Sequence, residues 1–153
     1  MTPFAFNTVP ALDMAWQGAG RLGEILSTRF AARKLFLITD AGLVKAGLIA
    51  PVEADLRRAG FSVTIFDAVV ADPPEAVLLQ AVDLAKQAGA DIVLGLGGGS
   101  SLDISKLVAV LLHGSQSLAE MYGIGNVKGT RAPLVLVPTT AGTGSEAVSY
   151  THL

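Results

Sequence analysis

The chain contains no cysteine, which removes disulfides, thiolate nucleophiles and cysteine-ligated metals from consideration. It has no run of 18 apolar residues, so no membrane-spanning helix is expected. The opening residues, Met1-Thr2-Pro3-Phe4-Ala5-Phe6, lack a basic region followed by an apolar core. No signal peptide is expected, and a cytoplasmic location is the default expectation. Charge is scarce as well: 16% of residues are charged and the net charge is −2, which argues against a nucleic-acid or anionic-membrane partner. Internal repeats and low-complexity tracts are absent.

What is present is apolar side chain and glycine. Half of the residues (51%) are hydrophobic, so disorder is not expected. A chain of 153 residues suits one domain and can bury roughly 68–70% of its unfolded surface.

The stretch around which the chain is organised is Gly95-Leu96-Gly97-Gly98-Gly99-Ser100-Ser101-Leu102-Asp103-Ile104-Ser105-Lys106. The aliphatic run Asp91–Leu94 precedes it and Leu107–Leu112 follows it. This predicts a buried strand, a glycine turn and a buried helix. Consecutive glycines leave no Cβ to hold a ligand away, and the helix would open with its N–H groups and positive dipole end at the turn. That arrangement suits a pyrophosphate. Ser100 stands three residues before Asp103, the spacing of a capping box. Asp103 and Lys106 are one turn apart and can pair. The spacing by itself leaves two readings open, a phosphate cradle and a plain tight connection. Ser100 replaces the third glycine of a Gly-x-Gly-x-x-Gly string, and the Walker pattern is absent.

In chain order, Phe4–Val9 reads as an edge strand and Met14-Ala15-Trp16 as a second short strand. Gly18-Ala19-Gly20 reads as a turn leading into an amphipathic helix from Arg21. Lys34–Asp40 is a buried strand ending in an acid. Asp40 either faces a ligand crevice at the strand's carboxyl end or caps the helix Ala41–Ala46. A helix over Pro51–Arg58, a strand over Phe61–Phe66 and a helix over Glu75–Gln87 follow, the last one after the loop Asp72-Pro73-Pro74. His113 at the end of the next helix reads as a dipole partner. The strand Pro133–Pro138 empties into Thr139-Thr140-Ala141-Gly142-Thr143-Gly144-Ser145-Glu146, rich in hydroxyls and glycine. Strands alternating with helices predict an α/β fold with a mostly parallel sheet and helices on both faces. Both glycine-bearing loops then open at the carboxyl edge.

Three segments together resemble the iron-containing (group III) alcohol dehydrogenases. Gly97–Lys106 matches that family's Gly-Gly-Gly-Ser-x-x-Asp-x-x-Lys motif, and Pro138–Glu146 matches its second loop. Thr39-Asp40, with Leu43, Lys45, Gly47 and Leu48, matches its early strand–helix segment, and Gly18-Ala19-Gly20 also fits. The resemblance covers about residues 4–146. It implies a Rossmann-like, dehydroquinate-synthase-like domain over residues 1–147 that binds NAD. Gly97, Gly98, Gly99, Ser100 and Ser101 would hold the pyrophosphate. Thr139, Thr140 and Thr143 would contact the cofactor from the second loop. Asp40 would read the adenosine ribose and disfavour NADP. Asp72 stands where the family often has Asn, which departs from the pattern for that cofactor contact.

In that family an all-helical domain supplies one Asp and three His to a divalent metal, usually iron, which acts on a primary alcohol or diol oxygen while hydride passes to the nicotinamide. The two histidines here, His113 and His152, lie in no matching motif, so Fe2+ is expected only in a full-length protein. A homodimer is implied by analogy. Residues 148–153 match what one reading frame of a common transposon-end adapter encodes, so a truncated chain with an artefactual tail, inactive alone, is expected. A stand-alone nucleotide-binding module is the alternative from another class. A glycerol dehydrogenase or dehydroquinate synthase is a further one, against which Gly142-Thr143-Gly144-Ser145-Glu146 argues.

Overall fold

The structure, a computed structural model, describes residues 10–14, 18–114, 116–121, 126–142 and 144–145. The strand expected over Phe4–Val9 and most of that over Met14–Trp16 lie outside the described residues; Met14 itself is not in a strand.

Four parallel strands form one sheet: β1 (Lys34–Asp40), β2 (Ser62–Val69), β3 (Ile92–Gly97) and β4 (Leu134–Pro138). Their spatial order is β2-β1-β3-β4. Leu35 pairs with Ile92, Ile38 with Gly95, and Gly97 with Pro138. The chain leaves β1 toward β2, then crosses back to place β3 on the other side of β1. The direction of winding therefore reverses between β1 and β3, and an open α/β sheet forms its ligand crevice outside the carboxyl ends at such a reversal.

Two layers of helix cover the sheet because successive side chains on a strand face opposite ways. Leu35 and Leu37 pack with Leu22 and Leu26 of α1 (Leu22–Arg29) and with Val52 and Leu56 of α3 (Ile49–Arg58). Phe36, Ile38 and Val93 pack on the other face with Leu78, Ala81 and Val82 of α4 (Glu75–Gln87) and with Leu107 and Val108 of α5 (Gly99–Leu111). Two short helices, α2 (Ala41–Lys45) and α6 (Leu118–Met121), and a 3-10 turn over Gly18–Arg21 are the other helical elements among the described residues.

One stabilising contact comes from outside the helix it serves. The residue before α1, Arg21, makes no capping bond. Instead the Gly23 N–H donates to Asp55 Oδ2 of α3 at 2.7 Å. A carboxylate at a helix N-terminus satisfies an orphan donor and meets the positive dipole end. Asp55→Ala is therefore expected to lower stability by about 1 kcal/mol, read by urea denaturation. A loss below about 0.3 kcal/mol would reduce this contact to a solvated surface pair.

Where the elements differ from the sequence reading, the differences are local. β2 runs three residues past Phe66, since Ala68 and Val69 both pair across a bulge at Asp40. β3 continues through Gly95-Leu96-Gly97 rather than ending at Leu94. The N-cap of α5 is Gly98, with no side-chain cap, so Ser100 stands inside the first turn and the capping box with Asp103 does not form.

Candidate dinucleotide site at the carboxyl edge

The rim between β1, β3 and β4 is built from close approaches. β3 and α5 run back to back, and glycine in the strand meets serine in the helix. A Cβ on Gly97 would lie 2.7 Å from Ser101 Oγ and 2.8 Å from its Cβ. A Cβ on Gly95 would collide with Ser105 Oγ and lie 2.8 Å from Ser105 Cβ. The spacings agree: two residues of strand rise about 6.6 Å and four of helix about 6 Å, so both pairs seat together. Ser101 is only 2% exposed, and Ser105 Oγ donates to the Ser101 carbonyl at 2.6 Å. The first two glycines thus let the helix lie on the strand, and the turn itself is left to Gly98.

Gly98 differs in kind. Its φ of −79° suits any residue. A Cβ there would meet nothing closer than Thr140 Oγ1 at 3.6 Å, ordinary contact. Neither backbone nor packing in the free chain demands glycine, and a Cβ would project toward the second loop. The first backbone donor inside α5 is Leu102, which donates to Gly98 O at 3.1 Å. The N–H groups of Gly99, Ser100 and Ser101 come before it and have no intrahelical acceptor. Ser101 would therefore meet a ligand through its backbone, its side chain being buried against Gly97.

The second loop is fastened beside this turn: the Thr139 N–H donates to Gly97 O at 2.9 Å, continuing the β3–β4 ladder. Thr139, Thr140, Ala141 and Gly142 are exposed. Thr143 lies outside the described residues.

Asp40 does two things with two oxygens. Oδ1 accepts from the Leu43 N–H at 3.0 Å and caps α2. Oδ2 lies 3.5 Å from where a Gly97 Cβ would be, at the β1/β3 junction. The cap and the place at the crevice are thus compatible. Thr39 before it is fully buried, its hydroxyl without a partner among the described residues and closed to a ligand. Asp72, exposed at a φ of +46°, follows β2 at the same edge of the sheet, toward its outer side. Asp103 and Lys106 pair as their spacing predicts, Oδ1 to Nζ at 2.6 Å. The contact of Ser145 Oγ with Asp103 Oδ2, 3.4 Å, is one that no local pattern announces.

Among the described residues no group of three or more His, Asp or Glu side chains could hold a metal ion, and no helix is long and apolar enough to cross a membrane. His113 is exposed just beyond α5.

Comparison with known proteins gives a consistent answer. Long-chain-alcohol dehydrogenase 1 of Geobacillus thermodenitrificans is 40% identical over 144 residues, 89% of this chain and 36% of its own length. The NAD-dependent methanol dehydrogenase of Bacillus methanolicus is 32% identical over 141 residues, 92% of this chain and 37% of its own. The crystal structure of a 1,3-propanediol oxidoreductase superposes with a TM-score of 0.88 at 29% identity, over 95% of this chain and 38% of that one. The chain thus spans well under half the length of these proteins. The family model for iron-containing alcohol dehydrogenase matches residues 14–153. By this match, and with an α/β sheet built like theirs, the chain belongs to the iron-containing alcohol dehydrogenase family.

Proposed function

We propose that this chain is the NAD-binding part of a metal-dependent alcohol dehydrogenase, which moves a hydride between a primary alcohol or diol and the nicotinamide. The observation that carries this is Gly98, a glycine that the free fold does not need, at a helix N-terminus and facing a hydroxyl-rich loop. The diphosphate would sit there, on the N–H groups of Gly98, Gly99, Ser100 and Ser101, with Gly97 beneath and Thr139, Thr140 and Thr143 across the gap. Asp40 Oδ2 would accept from the adenosine ribose hydroxyls, and Asp72 would approach from the outer side of the rim. The NAD dependence of the Bacillus methanolicus relative supports the choice of cofactor.

The bound nicotinamide supplies the hydride acceptor, and this chain's part is to bind and orient it. The described residues do not fit a metal centre. On this reading residues 1–147 are the dinucleotide domain, and the 153 residues hold the cofactor without turning over substrate by themselves. The partners are a nicotinamide dinucleotide and, in the full-length protein, a small alcohol or aldehyde.

The experiment is a fluorescence titration with NADH and NADPH. The intact chain should prefer NADH. Asp40→Asn keeps an acceptor for the Leu43 N–H but removes the charge that a 2′-phosphate would meet. It should tighten NADPH binding at least about tenfold, as expected for removing one unit charge from beside a 2′-phosphate after screening. Equal affinity of the intact chain for both cofactors would remove Asp40 from the selectivity argument.

A further inference from the structure

We infer that Gly42 is a positioning residue for the choice between NADH and NADPH. Carrying no Cβ, it lets the Asp40 side chain lean over α2, and that lean decides where the Asp40 charge stands in the crevice. This rests on the dinucleotide reading above, in which Asp40 meets the adenosine ribose.

Gly42 is exposed, the second residue of the five-residue helix α2. Glycine is the poorest helix former after proline, so its presence there calls for a reason. The backbone supplies none. Gly47 and Gly60 take positive φ, whereas Gly42 keeps a helical backbone open to any residue. Packing supplies one neighbour. Apart from its chain neighbours and the backbone of its own helix, a Cβ on Gly42 would meet a single atom within 4 Å among the described residues, Asp40 Oδ1 at 2.9 Å. The space that glycine leaves open is the space this oxygen uses.

The collision is with the end of a side chain, and a side chain can turn. An alanine at 42 therefore displaces Asp40 before it distorts α2. The two oxygens of a carboxylate are rigidly joined. Turning Oδ1 away from the Leu43 N–H also takes Oδ2 from its place beside Gly97. The backbone aims the same side chain, because Asp40 stands at a bulge, paired with both Ala68 and Val69 of β2. Bulges re-aim side chains in this way beside binding sites. The fold should tolerate the change. The cap lost and the helix propensity gained on going from glycine to alanine are of similar size and opposite sign.

The test is a fluorescence titration with NADH and NADPH beside urea denaturation, on the full chain and three variants. Gly42→Ala should stay folded and lose about tenfold of the preference for NADH over NADPH, the worth of one charge-assisted hydrogen bond to the ribose. Asp40→Ala leaves no carboxylate to displace. Adding Gly42→Ala to it should change the ratio of the two affinities by less than about twofold. A merely structural role for Gly42 would weaken both cofactors alike and would act in either background.

Four results overturn the inference while leaving the dinucleotide reading intact. They are an unchanged preference in Gly42→Ala, an equal weakening of both cofactors, the same loss of preference when Asp40 is already alanine, and unfolding of Gly42→Ala, which would mean that turning Asp40 does not relieve the new methyl. Equal affinity of the intact chain for NADH and NADPH removes Asp40 from cofactor selection and the inference with it. Absence of NADH binding by the intact chain overturns the dinucleotide reading as well.

Discussion

Gly98→Val is expected to cost at least about 100-fold in dinucleotide affinity while changing folding stability by less than about 1 kcal/mol. The asymmetry follows from two facts. The backbone at Gly98 is extended, φ −79° and ψ −176°, a conformation open to valine. A Cβ there stands 3.6 Å from Thr140 Oγ1 and 3.7 Å from Thr140 Cγ2, and the exposed Thr140 side chain can turn away from the valine methyls. Stability should register only the weaker N-cap preference of valine. A diphosphate held by this turn needs N–H to oxygen distances near 2.9 Å, and a branched side chain in the gap pushes it outward. Each charge-assisted hydrogen bond so lost is worth about 1.5–3 kcal/mol, so losing two gives the predicted factor. Calorimetric titration with NADH beside urea denaturation measures both halves. A variant that binds as the intact chain does would take the diphosphate away from Gly98. A variant that unfolds would show that the glycine serves the fold, and Gly98→Ala would then have to carry the binding test.

Elements whose ends are set by local chemistry were legible in the sequence. Lys34–Asp40 and Glu75–Gln87 agree residue for residue, because an acid capping the next helix closes one and Pro74 opens the other. The end of β3 was not legible. Glycine reads as a turn signal, but in Gly95 and Gly97 it marks a strand on which a helix lies. The paired spacing, Gly-x-Gly against Ser101-x-x-x-Ser105, is the signal that identifies them. The capping box was misplaced for a related reason. Ser100 and Ser117 both stand three residues before an acid, but the first falls inside its helix by two positions. Ser117 precedes α6, and its N–H donates to Glu120 Oε2 at 2.7 Å. That bond holds the Glu120 carboxyl below the usual range.

For the site, the rule that loops after parallel strands share one edge was enough to put both glycine loops there. It did not say that they touch. The bond from the Thr139 N–H to Gly97 O needs β3 beside β4, a matter of strand order that no local pattern encodes. The two roles of Asp40, left as alternatives by the sequence, coexist because a carboxylate has two oxygens.

The largest effect on folding is expected at Gly95, where α5 and β3 come closest. Gly95→Ala should lower stability by about 3 kcal/mol, the upper part of the range for overpacking a dense core. The reason is that no side-chain motion relieves it. Rotating Ser105 about χ1 moves its hydroxyl away from the new methyl but leaves Ser105 Cβ 2.8 Å from it, and Leu136 Cδ2 stands at 3.1 Å on the β4 side. Rotation also breaks the bond from Ser105 Oγ to the Ser101 carbonyl. Relief requires α5 to lift off the strand, which opens voids around Val108 and Ile104, both buried in the same layer. A second change locates the cause. Ser105→Gly removes the hydroxyl and the Cβ together, at a helix-propensity cost of about 1 kcal/mol. Gly95→Ala with Ser105→Gly should therefore be more stable than Gly95→Ala alone, and short of the intact chain by about that cost plus the remaining squeeze on Leu136. Urea denaturation of the four proteins measures the coupling directly. A loss under about 0.5 kcal/mol for Gly95→Ala, or strict additivity of the two changes, would mean that helix and strand do not meet at this pair.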